Sequence, residues 1–109
     1  MNLIYLIAYF FGGASLANMV PHFVSGMMGR SFQSPFANPR GQGLSSSTVN
    51  VVWGFFNGVA AYVLICRVGE FDLKSTADVA ACGLGILLLG LFSARHFGQF
   101  HGGNTPERS

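Results

Sequence analysis

The chain has 109 residues, of which 50% are hydrophobic and only 9% are charged. Soluble domains carry roughly 25% charged residues, so this composition argues against a water-soluble globule. A net charge of +2 on six scattered basic residues is too small for nucleic-acid binding, and two cysteines with no CxxC pair exclude a cysteine zinc site or a disulfide-dense scaffold.

Three apolar segments follow in order, at about 3–28, 49–66 and 77–97. Each is near the roughly 20 residues that cross a bilayer core. The expected fold is all-α: one domain over residues 1–109, an integral membrane bundle of three transmembrane helices. Leu3–Phe11 resembles the apolar part of a signal peptide, and Ser15, Leu16 and Ala17 resemble a cleavage site, but no basic residue precedes them. The segment therefore reads as a retained helix that doubles as an insertion signal. It is longer than the hydrocarbon thickness, so it must tilt, kink or reach into the headgroups. Pro21 offers a kink, because it leaves the carbonyl of Ala17 without its helical donor.

Polar and small residues on this first helix recur at Ser15, Asn18, His22, Ser25 and Gly29, spaced 3, 4, 3 and 4. That spacing draws one stripe along one side. Residues 29–48 read as a loop broken by Pro35, Pro39, Gly41 and Gly43. Its Phe32 and Phe36 are too apolar for open water, which predicts that it lies back on the bundle or the interface. Ser45 to Thr48 supply candidate caps for the second helix. That helix carries a matching stripe, Asn50, Gly54, Asn57 and Ala61, and a GxxxG pair at Gly54 and Gly58. A short polar connection, Glu70 to Asp78, leads to the third helix, where Ala81 and Gly85 form a small-residue packing pair and Gly83 and Gly90 lie seven apart. Residues 98–109 read as a polar tail.

Arg30 and Arg40 in the first loop, with Arg95 and Arg108 after it, outnumber Arg67 and Lys74 in the second. Basic residues favour the cytoplasmic side. The expected topology is N-terminus outside, with loop 29–48 and the C-terminus cytoplasmic, in a bacterial inner membrane.

Polar groups inside a membrane helix are costly unless partnered, so the candidate site residues are Asn18, His22, Asn50, Asn57, Arg95 and His96. Two readings stand. The amides and the His22 ring are structural glue between helices, or they line a ligand pocket or polar pathway on the cytoplasmic side, suited to an anion, a quinone head group or a proton. Haem ligation by His22 and His96 is a further option; no acid joins them, since Glu70, Asp72, Asp78 and Glu107 are the only ones. Arg40, Ser45 and Ser46 precede a helix N-terminus, where an anion or lipid head group is favoured, or they form a capped turn. Helices two and three are expected to be antiparallel neighbours, which would allow a disulfide between Cys66 and Cys82. No GxSxG elbow or carboxylate pair suggests an enzyme.

The length is similar to that of the small multidrug transporters, but those have four helices and a glutamate within the first, whereas this chain has three apolar segments and no acid before Glu70; fluoride channels also use four segments. The first functional expectation is a non-enzymatic subunit of an oligomer or larger membrane complex, because three helices leave little interior for a site. A small oligomeric channel or transporter, with a path lined by Asn18, His22, Asn50 and Asn57, is the alternative. A haem- or quinone-binding redox subunit is the third.

Overall fold

The computed structural model describes residues 2–103, so Glu107 and Arg108 lie outside it. Three long helices dominate: α1 (Leu3–Met27), α2 (Ser47–Tyr62) and α3 (Thr76–His101). A π-helical turn, Val63–Arg67, extends α2. With that turn included, the three helices span 25, 21 and 26 residues, with mean hydropathies of 1.7, 1.7 and 1.9 in their most apolar stretches. All three are long and apolar enough to cross a bilayer core of about 30 Å.

Local chemistry sets the helix ends. Asn2 Oδ1 accepts from the amides of Ile4 and Tyr5 at 2.9 and 3.4 Å, capping α1. Gly29, at φ +73°, closes it: the Arg30 amide returns to the Ser25 carbonyl at 2.9 Å. Ser46 Oγ accepts from Val49 N at 3.2 Å to start α2. Ser75 Oγ accepts from Asp78 N at 3.2 Å to start α3, and the Asp78 carboxylate suits the positive end of the helix dipole.

The first helix runs through Pro21, and one predicted boundary needs correction. The third helix does not give way to a tail at residue 98: it runs to His101 and stops at Gly102, which takes φ +73°. Gln99 and His101 are polar, but polarity alone does not end a helix, whereas a left-handed glycine does.

The arrangement of the helices differs from a simple three-helix bundle. The first helix is the centre, and α2 and α3 each pack on it while their own backbones barely approach. Glycine makes both contacts close. A Cβ on Gly54 would stand 2.7 Å from Phe23 Cβ, and one on Gly58 would stand 2.9 Å from Met19 Sδ. On the α3 side, a Cβ on Gly13 would overlap the Cys82 carbonyl, and one on Gly85 would overlap the Phe10 carbonyl. Helices α1 and α3 therefore meet backbone to backbone. Ala81 is only half-buried, and Gly83 and Gly90 have open space where a side chain would begin.

The placement of α1 between its neighbours also removes the adjacency of α2 and α3 that a Cys66–Cys82 disulfide would need. Cys66 is exposed on the π-helical turn, Cys82 backs onto Gly13, and both thiols are free.

The α1–α2 connection is more ordered than an open loop. Phe32–Gln33 (β1) pairs antiparallel with Leu44–Ser45 (β2), Phe32 opposite Ser45. The segment folds back on the bundle as its phenylalanines required. Ser34, buried within it, shares a 2.6 Å hydrogen bond with Ser45 Oγ.

Candidate functional site

The polar stripe of α1 lies in the crease where the loop, α2 and α3 converge. Its centre is His22, only 2% exposed. Nδ1 of His22 is 2.8 Å from Asn50 Oδ1. Asn50 is fully buried, and its amide nitrogen lies 3.0–3.2 Å from the carbonyls of Phe32, Ser45 and Ser46. Those three acceptors settle which way the amide faces, so the oxygen is turned to His22. An amide oxygen only accepts. The histidine hydrogen is therefore on Nδ1, and in the neutral ring Nε2 carries the free lone pair.

One turn along α1, Asn18 Nδ2 donates to Asn57 Oδ1 at 3.1 Å, and Asn57 Nδ2 donates to the Trp53 carbonyl at 2.9 Å. The amides of the stripe thus close on one another between α1 and α2. This is the helix seam that the two matching spacings imply.

Aromatic rings surround His22. Phe32, Trp53 and Phe97 meet it edge-on with centroids at 5.6, 6.3 and 5.8 Å. Two further histidines pin the loop to α3. His96 Nε2 donates to the Gly41 carbonyl at 2.7 Å, and Gln99 Nε2 lies 3.5 Å from its Nδ1. His101 stacks on Phe32 at 5.2 Å, with its Nε2 2.9 Å from Gln33 Oε1. This explains why α3 outruns its apolar stretch: its last turns hold the loop down.

A cavity of about 340 Å³ opens beside His22. Asn18, Arg40, Trp53, Phe97 and His96 share its wall. The expected meeting of polar groups is therefore altered in membership. His22, bonded to Asn50, shares the cavity with His96, but Arg95 does not line it; Arg95 is exposed on α3 beside Phe92, His96 and Gln99. Arg40 takes the place expected of Arg95. The hydroxyls of Ser45 and Ser46 serve the fold, one bonded to Ser34 and the other capping α2, so the capped-turn reading describes them. The His96 ring reaches the Gly41 carbonyl through Nε2 and Gln99 through Nδ1. Among the described residues, no cluster of His, Cys, Asp or Glu is placed to hold a metal ion.

Trp53, Phe97 and Ser34 were not evident as site residues from sequence. Trp53 had a signal: it lies three residues after Asn50 and four before Asn57, on the same stripe. Ser34 had none, because its place depends on how the loop folds back. Comparison with protein-family models, curated proteins and solved structures finds no match to this chain.

Proposed function

We propose that this chain is a non-enzymatic subunit of a membrane assembly, either a homo-oligomer or a larger complex, in a bacterial inner membrane. One observation carries the reading: α3 is left almost bare. Only 6% of its most apolar stretch is buried within the chain, against 22% for α1. Lipid can cover leucine and phenylalanine, but Gly83 and Gly90 leave notches on that bare surface. They lie seven residues apart and so share one side of the helix. Gly13 and Gly85 illustrate the use of such notches, since they bring two backbones into contact. A helix from a neighbouring chain fits Gly83 and Gly90 in the same manner.

In this assembly the loop and the C-terminal end of α3 face the cytoplasm. Arg30, Arg40 and Arg95 stand at that end, whereas Arg67 and Lys74 share the other with Glu70, Asp72 and Asp78. Basic residues favour the cytoplasmic side, and a topology reporter fused to the C-terminus checks it.

The main test is particle size, by mass measurement in mild detergent and by photobleaching steps in bilayers. Wild type is expected as a multimer or with a co-purifying partner. The double substitution Gly83→Leu and Gly90→Leu should disperse it while leaving its helicity intact. A wild-type monomer in both settings, with no co-purifying chain, refutes the reading.

A further inference from the structure

We infer that the cavity beside His22 binds the hydroxylated aromatic head of a membrane amphiphile, of the phenol or hydroquinone class. The cavity volume of about 340 Å³ falls within the usual range for small-molecule sites, roughly 300–1,000 Å³. Its wall is mainly apolar and aromatic, with Trp53, Phe92, Phe97 and Pro35 contributing. Phe92, 60% exposed on a membrane-length helix, forms part of the wall, so the cavity borders the surface that α3 presents to a bilayer.

The chemistry of the wall narrows the occupant. His22 is 2% exposed, and its Nδ1 hydrogen is committed to Asn50. Nε2 has no hydrogen-bond partner among the described residues, and the His22 ring lines the cavity. It is therefore an acceptor that remains within reach of a ligand. A bound hydroxyl donates to it. Arg40, with no acidic partner among the described residues, lines the same cavity and suits an oxygen on the ligand.

The alternatives fit less well. A cationic head would meet Arg40 and no carboxylate, because Glu70, Asp72 and Asp78 are at the other end of the helices. A phosphate would have one guanidinium and a neutral histidine acceptor facing its oxygens, where phosphate sites use convergent donors. A purely apolar tail would leave Nε2 unsatisfied at a cost. A flat ring with a hydroxyl satisfies the aromatic walls and the acceptor together. This site stands independently of the α3 surface, so either proposal can fail without the other.

Trp53 is the only tryptophan in the chain and lines the cavity, which provides a reporter. The protein in phosphatidylcholine nanodiscs is titrated with 4-nonylphenol and with its methyl ether, 4-nonylanisole, while Trp53 emission is followed. The phenol is expected to give a saturable change, and the ether to bind at least about tenfold more weakly, the factor for one lost hydrogen bond of about 1.4 kcal/mol. In His22→Phe, with helicity retained, the preference for the phenol should vanish. Equal affinity for phenol and ether in the wild type overturns the role of His22. A change that rises linearly without saturation overturns the site itself. The phenol-to-ether comparison needs no variant, so a folding defect in His22→Phe does not spoil the test.

Discussion

Asn50→Ala removes four side-chain contacts in one substitution: His22 Nδ1 and the carbonyls of Phe32, Ser45 and Ser46. The His22 Nδ1–H is then left buried without an acceptor, which costs about 1–3 kcal/mol. The two bonds to Phe32 and Ser45, which tether the paired strands to α2, contribute about 0.5–1.5 kcal/mol each. The Ser46 carbonyl keeps the Asn50 backbone amide at 3.1 Å, so its loss adds little. Chains unfolded within a membrane or micelle find substitute partners, which lowers the sum to about 3 kcal/mol. Asn57→Ala is the internal comparison. It breaks the Asn18 bond and the bond to the Trp53 carbonyl, an interhelical loss of about 1 kcal/mol. Unfolding in mixed micelles with rising dodecyl sulfate, followed by far-ultraviolet circular dichroism, measures both. The expected order is Asn50→Ala well below Asn57→Ala in stability, with Trp53 emission disturbed in both. If Asn50→Ala lies within about 0.5 kcal/mol of wild type, the range of neutral surface changes, then Asn50 does not organise the crease.

Gly85→Leu should separate α3 from α1, because the new Cβ would overlap the Phe10 backbone carbonyl, which no side-chain rotation relieves. The expected loss is about 3 kcal/mol or more on the same micelle assay, and an unchanged midpoint would contradict the packing. His96→Ala should loosen the loop without unfolding the helices. It removes the bond to the Gly41 carbonyl and the stack on Phe92, a loss of about 1 kcal/mol, and faster amide exchange at Gly41–Gly43 is the readout. Both cysteines should react with maleimide without prior reduction, exposed Cys66 faster than half-buried Cys82; a chain resistant until reduced would show that the two are joined.

Much of the helical layout is legible in the residues themselves. Hydropathy marks three membrane-length helices because apolar runs near 20 residues have few other uses. The caps at Ser46 and Ser75 and the stop at Gly29 follow from short-range hydrogen bonding and glycine's access to positive φ. The pairing of the two polar stripes was also readable, since Asn18 and His22, four apart, and Asn50 and Asn57, seven apart, each fall on one face of a helix. The end of α3 was not. A polar histidine at the edge of an apolar run looks like a tail until the loop that it binds is in place.

The residues alone determine the class of this protein, three membrane-length helices with amides and a histidine inside them, because burial of backbone and side-chain polarity is a local constraint that each segment must meet. Tertiary structure alone decides that α1 stands between α2 and α3, that the cysteines stay apart, and that Arg40 rather than Arg95 reaches the His22 cavity. Those outcomes depend on which glycine notch accepts which backbone and on where the connection from Met28 to Ser46 folds back. Hydropathy carries no information about either choice, since both surfaces of α3 are apolar and contain glycine. The seam of Asn18, His22, Asn50 and Asn57 is where the two levels meet: its spacing is written along the chain, and its enclosure by Trp53, Phe32 and Phe97 exists only once the chain has folded.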